Sequence, residues 1–166
     1  GSKVGSYTLT YRVSDAAGNT ATTARKVTVV DAVAPSITIV NTAVTHEAAT
    51  IYSDEVPTAT DTLDGVVSVT TSGTVDVSTV GSYTLAYSAT DAAGNTATAT
   101  RTVTVADRTA PSITIVNTAV THEAATIYSD EVPTATDTLD GVVSVTTSGT
   151  VDVSTVGSYI LTYSVS

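Results

Sequence analysis

A stretch of fifty residues, 34–83, recurs without a single change at 110–159, 76 positions further along the chain. The same offset lays residues 4–32 on 80–108 with nine differences in 29 positions, and residues 156–166 repeat 80–90, which repeat 4–14. Whatever one copy folds into, the next copy folds into again, so the folding unit holds about 76 residues. A single active site gains little from being copied unchanged. Length, reach and valency do gain, because each added unit extends the array or adds a contact.

Within one period the apolar residues alternate. Residues 81–90 place Tyr83, Leu85, Tyr87 and Ala89 on one face, opposite Ser82, Thr84, Ala86, Ser88 and Thr90. Residues 96–106 place Ala97, Ala99, Arg101, Val103 and Val105 on one face and Thr96, Thr98, Thr100, Thr102 and Thr104 on the other. Between them lies Asp91-Ala92-Ala93-Gly94-Asn95, a turn in which glycine supplies a positive φ and Asp91 caps its own backbone. Shorter strands are expected at 36–40, 66–71 and 74–77. A period of two predicts half-buried β-strands. Thr, Val and Ala supply 37, 27 and 22 of the 166 residues, and the first two are strand formers. About seven strands in 76 residues suit a small sandwich of two antiparallel sheets. The expected fold class is therefore all-β: tandem immunoglobulin-like sandwich repeats with a 76-residue period.

Composition closes several functional classes. The chain has no Cys, so it has no disulfide, zinc-thiolate site or Cys nucleophile. A formal net charge of −10 opposes nucleic-acid binding. No apolar run approaches the roughly 20 residues of a membrane helix, so no membrane insertion is expected.

The string Val80-Gly81-Ser82-Tyr83, Tyr87, Asp91-Ala92-Ala93-Gly94-Asn95-Thr96-Ala97, followed by Val103-Thr104-Val105-Ala106-Asp107 and Ala110-Pro111, resembles the end of a bacterial Ig-like domain. It is similar to hyalin-repeat (HYR) domains and to the Ig-like domain of some pesticidal crystal proteins. The upstream residues Tyr52-Ser53-Asp54, Ala59-Thr60-Asp61 and Asp64-Gly65 fit the same pattern. The resemblance implies an extracellular or bacterial cell-surface location, in a parent protein that is often a large adhesin. It carries over no catalytic residue, and no enzyme activity is expected. In this phase residues 1–32 are the C-terminal strands of a partial repeat. Residues 33–108 are a complete repeat, and 109–166 are a repeat lacking its last strand. A second phase, with units 4–90 and 80–166 sharing the strand 80–90, fits the duplicated ends.

The acidic residues are the one candidate for chemistry. Between Val27 and Thr100 there are eight acids and no Lys or Arg. Such a stretch repels itself unless cations or salt intervene. Asp54, Asp61, Asp64 and Asp91 fall at expected turns, and Asp107 in a linker, so these five are the candidate calcium ligands. Asp31 and Asp107 stand near Pro35 and Pro111 at successive linkers. The competing reading is that each Asp caps its own turn. His46 and His122 are one residue in two copies, too few for a zinc site and expected on a strand surface. Arg101 is expected either to pair with a carboxylate or to lie at the sheet end. Three functions remain open: a structural stalk segment of an adhesin, a ligand-binding module, and a fibre subunit completed by strand exchange between chains. The partners these imply are neighbouring repeats and head-to-tail copies of the chain.

Overall fold

In the computed structural model, which describes residues 3–166, the Thr- and Val-rich alternating stretches are all extended, and no helix occurs among the described residues. The strands are β1 (Gly5–Ser14), β2 (Thr20–Val29), β3 (Ser36–Thr38), β4 (Ala43–Glu47), β5 (Thr58–Asp61), β6 (Gly65–Val67) and β7 (Val69–Ser72). They continue as β8 (Gly81–Thr90), β9 (Thr96–Ala106), β10 (Ser112–Thr114), β11 (Thr134–Asp137), β12 (Gly141–Val143), β13 (Thr146–Ser148) and β14 (Thr162–Ser164). β1 and β2 form a two-stranded antiparallel sheet. β3-β5-β6 form a three-stranded sheet and β4-β9-β8-β7 a four-stranded one, the two layers of a seven-stranded sandwich. The later copy repeats the first layer as β10-β11-β12 and retains β13-β14.

Two compact units emerge from the packing. One comprises Ser53–Val75, Tyr83–Val103 and the chain up to Val44; the other comprises Thr45–Tyr52, Asp76–Ser82 and Thr104–Ser166. In the first, the buried apolar side chains are Ala59, Leu85, Tyr87, Ala89 and Val103. In the second they are Ala48, Val105 and Ala135. The alternation expected for 81–90 and 96–106 is present residue by residue. Leu85, Tyr87 and Ala89 face inward, as do Arg101, Val103 and Val105, while the Thr residues of β9 face solvent.

Two shorter expectations fail. The stretch 66–71 is not one strand, because the chain leaves one sheet after Val67 and joins the other at Val69. Residues 74–77 form no strand. Gly73 explains why the chain turns there. Its φ is +95°, and an added Cβ would stand 2.5 Å from the Thr84 carbonyl oxygen. The backbone therefore crosses close over β8 instead of pairing with it. β4 and β5 carry too few apolar residues to be legible as strands; they are set by pairing with β9 and β3.

The two long strands also position the linkers. Asn95, just before β9, donates from Nδ2 to the carbonyls of Asp31 (3.4 Å) and Val33 (3.3 Å). The incoming linker thus lies at the start of β9. β9 then runs 11 residues, about 36 Å at the usual rise of about 3.3 Å per residue, before the outgoing linker begins. That linker is held by Glu47 of β4, whose Oε1 accepts from the Arg108 amide (2.9 Å), the Thr109 amide (3.1 Å) and the Thr109 hydroxyl (2.9 Å).

Leu85 is buried between the layers, so Leu85→Ala should destabilise the protein by about 2–5 kcal/mol. The measurement is chemical denaturation, with Thr104→Ala on the solvent face expected to change stability by no more than about 0.5 kcal/mol.

Candidate metal centre

Three turns converge near the start of β9. Asp61 ends β5, and its Oδ1 accepts from the amides of Leu63 (2.7 Å) and Asp64 (3.1 Å). These amides hold its carboxyl below the ordinary carboxylate range and so keep it ionised. Asp91 ends the β8 side of the long hairpin. Its Oδ1 accepts from the Asn95 amide and its Oδ2 from Asn95 Nδ2, both at 2.8 Å. Asp31 lies in the linker between β2 and β3, with its Oδ1 accepting from the Val33 amide at 3.2 Å. One carboxylate oxygen from each of the three lies within 4.8 Å of the others. Asp61 and Asp91 are 8% and 7% exposed. Asp31 Oδ2 and Asp61 Oδ2 are buried and accept no hydrogen bond.

Of the five candidate ligands, Asp61 and Asp91 meet here. Asp64 stands alongside, its Oδ2 accepting from the Ala92 amide at 2.8 Å, which ties the β5–β6 turn to the β8–β9 turn. Asp107 joins a second cluster with Asp137 and Asp140, again with oxygens within 4.8 Å, and there Asp137 Oδ2 is buried without a partner. Asp137 and Asp140 are the repeat counterparts of Asp61 and Asp64. Asp54 lies in neither cluster. It pairs with the buried Arg101 and accepts from the Tyr87 hydroxyl at 3.0 Å. Arg101 also donates to the carbonyls of Asn41 (2.8 Å) and Glu55 (3.0 Å), which decides between its two expected placements.

The turn-capping reading of the acids holds alongside the clustering. In the β8–β9 turn the Asp91 amide donates to the Asn95 carbonyl while the Asp91 carboxylate accepts from the Asn95 amide, and Asp15 and Asn19 do the same in the β1–β2 turn. His46 lies in β4, on a strand as expected, while its counterpart His122 lies outside the strands of the later copy; each reaches the turn that follows. His46 Nε2 meets the Thr50 hydroxyl at 3.0 Å and its ring stands edge-on to Tyr52; His122, Thr126 and Tyr128 repeat this. Neither His joins an acidic cluster among the described residues. Glu47 was not legible as a functional residue, because nothing in its own sequence neighbourhood marks a linker 61 residues away.

Two family models match the chain. One, described as "Bacterial surface protein, Ig-like domain", matches residues 1–29 and 41–105. The other, described as "Bacterial Ig-like domain (group 3)", matches residues 74–157. No curated protein matches. Among solved structures, the crystal structure of the lipoprotein BT2262 from Bacteroides thetaiotaomicron is 32% identical over 46% of this chain, with a TM-score of 0.40. The match spans 39% of that protein's chain.

The Glu47 carboxyl is held below its ordinary 4.5, first by the Arg108 amide and then by the Thr109 hydroxyl. A depressed folded-state value means the contact contributes stability above the ordinary carboxyl value and loses it as pH falls through the lower one. The amide-proton shifts of Arg108 and Thr109 should therefore titrate together with a midpoint below 4.5 in an NMR pH series. In Glu47→Gln that step should be absent.

Proposed function

The chain belongs to the Ig-like domain families of bacterial surface proteins, and on that premise we propose that it is a non-catalytic stalk segment of an extracellular adhesin. The observation that carries this reading is β9 itself, whose 11 residues, about 36 Å of extended chain, run from the turn at Asn95 that bonds the incoming linker to the start of the outgoing one. A repeat whose longest strand runs from one linker to the next adds length each time it is copied. The unchanged repeat is what such copying produces. Nothing in this role needs the recognition surface that an adhesin carries in its other domains.

Small-angle scattering of the 166-residue chain tests this reading. A compact globule of this length has a radius of gyration of about 15 Å. The stalk reading expects a value well above that and independent of concentration. A value near 15 Å contradicts it. A particle mass that grows with concentration contradicts it as well.

A further inference from the structure

We propose that the Asp31–Asp61–Asp91 cluster is a calcium site that fastens the incoming linker to the sandwich, and that Asp107, Asp137 and Asp140 form its counterpart at the next linker. Acidic groups gathered at a surface would not by themselves argue for an ion. The second observation is Asp61. Its side chain is more than nine-tenths buried, its Oδ1 is spent on two turn amides, and its Oδ2 has no partner. A carboxylate oxygen withdrawn from water without a donor is costly, and a cation supplies what the protein does not. Asp31 Oδ2 has the same deficit in the same cluster.

The spacing fits one ion. Two oxygens bound to a common calcium at about 2.4 Å stand no more than about 4.8 Å apart, and the ligand atoms of the three aspartates lie within 4.8 Å of one another. The donor set is all oxygen, with no imidazole or thiolate, which selects a hard cation over zinc or copper. Asp91 adds no unused buried oxygen, since Asn95 donates to both of its oxygens; a carboxylate oxygen has a second lone pair to offer the ion. Among the described residues the one ion pair is Arg101 with Asp54, outside both clusters. The deficit recurs at Asp137 Oδ2 in the second cluster.

The consequence for function is specific. Asp61 and Asp91 lie on two turns of the sandwich, and Asp31 lies on the linker. An ion shared by all three removes the freedom of the linker where it enters. That consequence rests on the stalk reading, whereas binding itself does not. Calorimetry on the full chain therefore separates the two.

The probe is calcium chloride titrated into EDTA-stripped protein, with magnesium chloride and zinc chloride as parallel arms. Two sites per chain are expected, with dissociation constants of about 10⁻⁴–10⁻³ M, the range of extracellular modules. At a hundredfold excess over the dissociation constant the melting temperature should rise by roughly 5–10 °C. Asp61→Asn should abolish one site and Asp137→Asn the other, each by more than about tenfold in affinity. Asp31→Asn, at a less buried ligand, should have the effect of Asp61→Asn and guards against misfolding of the latter; circular dichroism checks that both variants stay folded. Asp76→Asn, at a turn outside both clusters, should bind as the parent does. No heat and no thermal shift with calcium would overturn the proposal. So would undiminished binding in Asp61→Asn/Asp137→Asn, or magnesium or zinc binding as tightly as calcium.

Discussion

The buried ion pair of Arg101 with Asp54 is the contact on which the packing of the sandwich turns. Arg101 sits on the inward face of β9 among Val103 and Val105, where a lone charge would be intolerable. It is satisfied by Asp54, by the carbonyls of Asn41 and Glu55, and by the ring of Tyr87 at 5.7 Å. Tyr87 in turn donates to Asp54. Removing one member of such a buried pair costs about 3–5 kcal/mol, because the other is stranded. The network sets which way β9 lies and where residues 41 and 54–55 must pass. The aliphatic core, which contains no Phe, Trp or Met, then fills around it.

The later copy keeps the same carboxylate contacts. Asp130 accepts from the hydroxyls of Tyr128 (3.0 Å) and Tyr163 (2.8 Å). The hydrogen bond to Asp130, then burial, pushes the Tyr163 phenol up to about 12. The acceptors of the network thus recur with the repeat.

The legible part of the fold was the part governed by alternation. β8 and β9 were readable to the residue, because four inward positions in β8 and five in β9 recur with period two. The Asp91–Asn95 turn was readable because its chemistry is local. Residues 66–77 were not. A strand that changes sheets at Ser68 keeps its alternation on both sides of the break, and a glycine that approaches a neighbouring backbone leaves no periodic mark. The resemblance to bacterial Ig-like domains held at that level. The acidic cluster was half legible: Asp61 and Asp91 stood out as turn acids, yet their meeting with Asp31 is made by tertiary approach of three segments 30 residues apart. Asp54 looked the same in sequence and serves Arg101 instead.

Copying, linker placement and packing all bear on one quantity, the distance between successive linkers. Spin labels at Val33 and Thr109, equivalent positions one period apart, measure it by double electron–electron resonance. The account predicts a narrow distribution centred near the length of β9, about 36 Å plus the reach of the labels. A centre below about 20 Å would place both linkers at one end of the sandwich and contradict a stalk built by copying this unit.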